Sequence, residues 1–488
     1  LGSGAGVLTP RELIREARDL ESLGKIRRAL LSAGVREAWL VGGTLRDLAR
    51  GERRPAPDVD LAVPGDGAAA ARRVAEATGG APFPLDEAEG AWRVALDRGG
   101  TVDVIPFRGP SIEADLEGRD FTVNAVALDL LGERGLLDPL GGLGDLAAGR
   151  LRLCAPDALA RDPLRTLRAY RFAAQFGLAP DPTLPPLLAE AARRLAEVSA
   201  ERIRTELFAT LDLPAASRAL RAMAGHGVLV ALFPFVNEWP GFDQGDYHSH
   251  DLLEHSLRTA EAAARLAREA DGLPRPDELS RHLEETLEAG VTRRSLLVLC
   301  AFLHDAAKPA TASWEGARRR FLGHETLGGR AVRRELRRLR VGRRTADAAA
   351  RTVAAHLRLF QLCQQAPPTP RARLRYLKDL GGEVPEALLL SLADEAATGP
   401  NPPWLATERR VAAELLELFW ERREGREVVP LLRGRDLVER LGIAPGPEVG
   451  RILRAVEEAE RAGEVSDPAQ ALALARALRD ATAGSRRP

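Results

Sequence analysis

In DVDLAV, residues 58 to 63, the carboxylates Asp58 and Asp60 stand two positions apart. In an extended chain that period puts both on one face and Val59, Leu61 and Val63 on the other. Adjacent carboxylates repel unless a cation lies between them. A pair of magnesium ions roughly 4 Å apart is how phosphoryl-transfer enzymes activate an attacking hydroxyl and stabilise a departing pyrophosphate. A third acid completes such a site, and Asp103, central in TVDVIPF, is the best placed, because an unpaired charge there would be costly. Upstream, AWLVGGTLRDLARG sets Gly42 and Gly43 between an apolar run and a helical stretch. Two glycines let backbone N–H groups approach phosphate oxygens at a helix N-terminus, and Arg46 adds a charged fork. Either feature alone is common in proteins where it does no chemistry. Their combination, in this order, is far more specific.

A second concentration lies mid-chain. His248, His250, His255, His304, His324 and His356 fall between residues 240 and 360, and LCAFLHDAAKP closes an apolar helix on the pair His304 and Asp305. A lone helix histidine is ordinarily a satisfied core or surface group. An adjacent His-Asp at the end of an apolar helix is a costly placement that metal chemistry would explain.

The elements that must position these groups are of two kinds. Trp39–Val41, Val59–Val63, Val94–Leu96, Val102–Phe107 and Val123–Leu130 are short, β-branched or aromatic and punctuated by Gly, Pro and Asp, which predicts strands. From Leu151 onward, Leu and Ala recur at three- and four-residue spacings among Arg and Glu, which predicts amphipathic helices. The expected fold is an α+β head, a small mixed sheet with helices, followed by a long all-α body. Gly/Pro-rich breaks at 138–146, 233–246 and 398–404 divide it. The expected divisions are an N-terminal helical extension (1–32), a head (33–135), a helical neck (136–235), a helical domain (240–400) and a helical tail (401–488). The opening LGSGAG is set aside, and 364–373 reads as a short Pro-rich loop.

Composition narrows the classes further. The 488 residues carry 70 basic and 70 acidic side chains, so any nucleic-acid surface must be local. Cys154, Cys300 and Cys363 are odd in number and far apart, giving neither a disulfide framework nor a zinc knuckle and fitting a reducing compartment. No apolar run approaches the roughly 20 residues of a membrane span, and no signal core is visible, so a cytoplasmic protein without a membrane partner is expected.

LVGGTLRD…DVDLAV resembles the nucleotidyltransferase signature of the bacterial-type (class II) tRNA nucleotidyltransferase and poly(A) polymerase family, and further matches follow in order. GRDFTVNAVALD (118–129) resembles the second motif, which assigns ribose reading to Arg119 and Asp120 and places Asn124 beside them. DPLGGLGDL resembles the hinge after the head, RDPLRTLRAYRFAAQFGL (161–178) the fourth motif and SAERIRTEL (199–207) the fifth. The resemblance implies a nucleotide site of Gly42, Gly43, Arg46, Arg119, Asp120, Asn124, Asp162, Arg165, Arg168 and Arg171, with Asp58, Asp60 and Asp103 as catalytic carboxylates holding Mg2+. On a continuous helix, Asp162, Arg165 and Arg168 share one arc, while Leu167, Tyr170 and Ala174 face the other way. Asp162 offers acceptors and Arg165 a fork of donors, a complement to cytosine or adenine that rejects guanine and uracil. The sequence departs from the family at Arg161, where many relatives carry Glu, and at Gly118, where they carry Arg.

YHSHDLLEHSLRT, LCAFLHDAAKP and LLLSLADEAATG together resemble an HD domain, a helical metal-dependent phosphohydrolase fold. The resemblance implies one divalent metal, of unspecified identity, on His255, His304, Asp305 and Asp394, with His324 and His356 where binuclear members find further ligands or phosphate contacts. In the tail, Pro445-Gly446-Pro447 precedes a helix flanked by Arg433, Arg435, Arg451 and Arg454, which suits an RNA phosphate.

Between VDVIPFR and the second motif stands only GPSIEADLEG, where CCA-adding relatives insert a mobile Asp/Arg-rich loop. The expected partners are therefore a tRNA lacking its 3′ end and CTP, with ATP as well if the enzyme completes CCA. The short connector favours a CC-adding enzyme that transfers CMP and releases pyrophosphate. A complete CCA-adding enzyme follows, then a poly(A) polymerase, then an HD phosphohydrolase with a regulatory N-terminal half.

Overall fold

The chain is described by a computed structural model covering residues 7–484, except 33, 53–57, 87–88, 97–98, 246–247, 365–366, 400–403, 425–430, 462–463 and 466. LGSGAG and much of the 398–404 break lie outside the described residues. The chain forms two compact units, Leu1–Glu206 with Arg221–Leu232, and Leu207–Leu220 with Phe233–Pro488.

The first unit contains a seven-stranded sheet. Its strands are β1 (Trp39–Val41), β2 (Val59–Val63), β3 (Ala81–Asp86), β4 (Ala91–Ala95), β5 (Thr101–Pro106), β6 (Ala127–Asp129) and β7 (Leu136–Leu137), in the order β3-β4-β5-β2-β1-β6-β7. β2 and β5 run parallel and every other pairing is antiparallel. β1 and β2 have the expected bounds. The expected strand over 123–130 is instead a 3-10 turn, Thr122–Asn124, followed by β6. Polar anchoring bends that backbone: Thr122 Oγ1 donates to Asp145 Oδ2 at 2.7 Å, and Asn124 Nδ2 to Asp120 Oδ1 at 3.0 Å. β3 carries Pro82 and Pro84, which argue against a strand. It survives as an exposed edge, where a missing N–H breaks few ladder bonds.

Helix α1 (Gly43–Ala49) follows β1, and α2 (Ile112–Glu117) follows β5. Trp39, Val41, Ala62 and Ala127 of the sheet pack against Ile112 and Leu116 of α2, so the connector after β5 is itself part of the core. Beyond the sheet, α3 (Ala158–Arg161) and α4 (Arg165–Phe176) are separate helices. The predicted continuous helix is broken at Asp162, which is extended (φ −147°, ψ 99°) because Pro163 disfavours a helical residue before it. In the DPLGGLGDL hinge, a Cβ on Gly142 would lie 2.0 Å from the carbonyl oxygen of Thr122, so only glycine fits against the second motif.

In the second unit, α5 (Leu252–Glu269), α6 (Arg293–Leu303), α7 (His324–Arg338), α8 (Arg343–Ala354), α9 (Pro370–Leu380), α10 (Val384–Thr398) and α11 (Leu405–Arg423) form the helical body. Ten of the eleven residues of α6 are buried, and α5, α8 and α10 pack around it. The body is not purely helical, because Thr286–Glu288 pairs with Val291–Thr292 and Ser313–Glu315 with Arg318–Arg320. Both hairpins turn at glycines of positive φ, Gly290 and Gly316, a signal that the helical periodicity obscured. The last helices bury their own cluster around Leu437, Ile452 and Ala471. No helix of the described residues is long and apolar enough to cross a membrane. All three cysteines are free.

Candidate active sites

Sheet register aligns Val41, Asp60, Asp103 and Arg93 across four strands. Asp60 is the member most deprived of compensation. Burial pushes its carboxyl up to about 6 despite the Arg119 guanidinium nearby, with Asp103 and Asp58 adding repulsion. The backbone N–H of Gly43 donates to it, and at Gly42 (φ 76°) a Cβ would lie 2.7 Å from Asp60 Oδ2. The glycine turn therefore cradles the carboxylate. Asp103 is engaged by Arg93 through two bonds of 2.7 Å, and Asp58 Oδ1 accepts from Thr101 Oγ1 at 3.0 Å. The three carboxylates do not close into one tight donor cluster.

One cavity of about 540 Å³ is lined by Asp60 and by all ten residues assigned to nucleotide binding. Arg108, Phe172, Gln175 and Arg202 complete the lining. Seven arginines face it against three carboxylates, a balance suited to a triphosphate. Their bonding separates anchors from available groups. Arg46 is buried, donates to Asp47 Oδ1 at 2.9 and 2.7 Å and to Asn124 Oδ1 at 2.6 Å, and stacks 4.1 Å from the Phe176 ring centre. It is a structural clamp as much as the expected free fork. Asp120 is a hub rather than a free ribose reader. Although burial opposes its charge, Arg168 holds its carboxyl below the usual range, and Asn124 and the Phe121 N–H also donate to it. Arg119 pairs with Asp115 at 2.9 Å, while Arg168 and Arg171 share Glu206. The Arg108 guanidinium has no hydrogen-bond or salt-bridge partner among the described residues, which leaves it open to phosphate oxygens.

The Arg165 N–H donates to the Asp162 carbonyl at 3.1 Å, but their side chains have other partners. Arg202 holds Asp162 Oδ2 at 2.8 Å, and Arg165 donates to the carbonyls of Gly118 (2.9 Å) and Arg119 (3.0 Å). Arg161, in place of the family's Glu, turns away to Asp157. Backbone carbonyls of the second motif thus orient Arg165.

In the second unit, His255 from α5, His304 and Asp305 from the end of α6, and Asp394 from α10 bring ligand atoms within 4.8 Å of one another, all buried. His255 Nε2 lies 3.3 Å from His304 Nε2, 3.0 Å from Asp394 Oδ1 and 3.5 Å from Asp305 Oδ2. Asp305, His324 and His356 form an adjoining cluster, with His324 Nε2 3.1 Å from Asp305 Oδ1. Asp305 thus offers one oxygen to each cluster. The Nδ1 atoms of His304, His324 and His356 lie 2.9, 2.6 and 2.7 Å from the carbonyls of Ala301, Phe321 and Val353. That bonding favours Nδ1–H and aims each Nε2 lone pair inward, as metal ligation requires. Neither Asp305 oxygen makes a well-aligned hydrogen bond. Burial disfavours a charge on His304, yet Asp305 and Asp394 outweigh it and lift the imidazole to about 10. A proton there does the work a divalent cation would do. The donor set fits such a cation.

Profiles described as the poly A polymerase head domain, as a probable RNA and SrmB-binding site of polymerase A and as an HD domain match residues 38–152, 177–239 and 252–398. The A-adding tRNA nucleotidyltransferase of Deinococcus radiodurans is 36% identical over 472 residues, covering 92% of this chain and 97% of that protein. The chain belongs to the tRNA nucleotidyltransferase and poly(A) polymerase family. The CC-adding tRNA nucleotidyltransferase of Geobacter sulfurreducens is 34% identical, covering 89% of this chain and 90% of that protein. A Thermotoga maritima CCA-adding enzyme solved with tRNA shares the fold, with TM-score 0.65 and 19% identity over 98% of this chain and 100% of that one.

Within this nucleotidyltransferase, sequence reasoning missed Arg93, Arg108, Phe172, Gln175 and Arg202 as parts of the site. Arg202 lies in SAERIRTEL, so the motif was visible while its target, forty residues earlier, was not. If Asp162 and Arg165 read the base, Arg165→Ala should reduce preference for CTP over UTP and GTP by about 1–3 kcal/mol. Arg202→Ala should relax it less, by freeing Asp162 to rotate. Values of kcat/KM for the four triphosphates measure both, and unchanged ratios would leave the pair a structural contact.

Proposed function

We propose that this chain adds CMP from CTP to a tRNA lacking its 3′ end, building the CC of the CCA terminus without a nucleic-acid template. Asp162 and Arg165 orient cytosine, Arg108 and the arginine-lined wall hold the triphosphate, and Asp58 and Asp60, with Asp103, form the catalytic carboxylate group. A divalent cation, magnesium in this reading, supplies charge stabilisation at the reacting phosphate when bound to those carboxylates. The tRNA 3′-hydroxyl attacks the α-phosphate, its proton passes to solvent or a carboxylate, and pyrophosphate leaves.

The observation that carries CC-specificity is the connector after β5. Ser111 caps α2 by accepting the Ala114 N–H, and buried Asp115 accepts the Arg108 N–H at 3.1 Å and pairs with Arg119. Ile112, Asp115 and Leu116 bind α2 into the head while Arg108, Gly109 and Pro110 stay exposed, and this short span supports a site that works without a long Asp/Arg-rich loop. The similarity to a Deinococcus A-adding enzyme favours a second reading, in which the chain adds the terminal A. Sizing products from tRNA lacking its last three nucleotides, with CTP alone and with CTP plus ATP, decides between them. CC-ended product in both supports the first reading, and no extension without a CC-ended primer supports the second.

Grafting an Asp/Arg-rich loop between Arg108 and Ser111 should allow a terminal A to appear, because the base-reading pair already complements adenine. Stabilising a rare A-competent arrangement by about 1.4 kcal/mol raises its population tenfold. A graft that folds and still adds no A would remove the lever from the explanation.

For the second unit we propose phosphoester hydrolysis at the HD site, with divalent cations on His255, His304, Asp305 and Asp394 and on Asp305, His324 and His356.

A further inference from the structure

A groove of about 540 Å³ lies on the second unit, lined by Arg371, Arg375 and Lys378 of α9 and by Arg422 and Arg423 at the end of α11. Arg371, Arg375 and Lys378 follow i, i+4, i+7 spacing, so they form one ridge along α9, about 10 Å from first to last. The floor between the basic rims is apolar: Leu374, Leu377 and Phe419. No carboxylate lines it, although the whole chain carries as many acids as bases. Arg371 and Arg375 are exposed and have no hydrogen-bond or ion-pair partner among the described residues. Arg423 is held at the rim, its Nη1 3.3 Å from His282 Nδ1, its Nη2 3.7 Å from Glu285 Oε1 and its guanidinium 5.7 Å from the Phe419 ring centre, so the available charge is that of Arg371 and Arg375. Arg371 and Arg375, exposed beside an apolar floor, suit a polyanion whose phosphates meet the rims while its sugars and bases cover the floor.

We propose that this groove binds the sugar–phosphate backbone of an RNA, as a contact separate from residues 177–239. The inference rests on the reading of tRNA as the substrate. An acidic protein partner or a second copy of the chain fits less well, because either would have to place several carboxylates at the spacing of the ridge, whereas a nucleic-acid backbone carries a phosphate at every residue.

The test is Arg371→Glu with Arg375→Glu in the full chain, and Arg371→Gln with Arg375→Gln as a milder pair. Thermal melts establish that each folds. The KM for tRNA should rise about tenfold or more for the reversal and less for the neutral pair, with the loss in tRNA KM and not in CTP KM. The slope of log affinity for tRNA against log salt should shrink by about 1.5, for two phosphate contacts at roughly 0.7–0.9 each. Wild-type tRNA KM and salt slope in both folded pairs would overturn the proposal. So would a change in oligomeric state by light scattering with tRNA affinity intact, which would assign the groove to protein association. A wild-type chain that incorporates neither CMP nor AMP into tRNA, whether lacking its 3′ end or ending in CC, would instead sink the reading of tRNA as substrate, a different failure from a wild-type chain that is active and variants that match it.

Discussion

Asp60→Asn is expected to lower CMP incorporation about a thousandfold or more while tRNA binding persists. Of the three proposed catalytic carboxylates, Asp60 is the one that lines the cavity, and it receives the Gly43 N–H and sits under the Gly42 turn. A cation at a developing phosphoryl charge contributes several kcal/mol, and about 4 kcal/mol is a thousandfold in rate. Asparagine keeps the shape and removes the charge, so the loss belongs in kcat rather than in the KM for tRNA. The pH dependence has a defined sign. Burial holds the Asp60 carboxyl at about 6, and a cation must displace that proton. At limiting magnesium, wild-type activity should therefore fall as pH drops through 6, approaching tenfold per unit for one proton, and saturating magnesium should move the midpoint lower. Near wild-type turnover in Asp60→Asn would displace the active site from this cavity.

The second large effect concerns the HD site. Changing His304→Ala together with Asp305→Ala should abolish divalent metal in the purified protein, read by elemental analysis, and any phosphatase or cyclic phosphodiesterase activity, while CMP addition continues. Asp305 lies in both clusters, so its loss disables both at once. Asp305 and Asp394 are held well below the usual carboxylate range: burial works against their charge, and His304 and His255, joined at Asp305 by Lys308, together outweigh it. Without a cation, positive charge comes from protonated His304 and from Lys308, whose Nζ lies 2.6 Å from Asp305 Oδ2. The metal-free chain should therefore stay folded at neutral pH. Added metal at a hundred times its Kd should stabilise it by about 2.7 kcal/mol, visible as a rise in Tm that the double variant lacks. Metal retained by that variant would place the ions elsewhere.

The sequence was most legible where function depends on local pattern. The period of two in DVDLAV places β2, the double glycine marks the strand-to-helix turn, and His304-Asp305 at the end of an apolar helix marks the second site. Partners distant in sequence were not legible. Arg93 reaches Asp103 only through the β4–β5 register, and Arg46 is held by Asn124, 78 residues away. The role of Arg46 as clamp and of Asp120 as hub follows from desolvation: each is buried, so each charge must be satisfied from within the protein. Pro163 was a legible helix break that periodicity alone passed over. β3 was hidden by its prolines, whose tolerance depends on an edge position that only the sheet order reveals.

On the proposed reading the active site stops at CC because the span between Arg108 and Arg119 is short and holds the small helix α2 in place of a long loop. The most direct measurement offers the chain a tRNA already ending in CC, with ATP as the only nucleotide and magnesium present, and resolves the product at single-nucleotide length. No extension is expected, from a preparation that converts the same tRNA lacking its 3′ end to the CC form when given CTP. Efficient conversion of the CC-ended tRNA to CCA would contradict it.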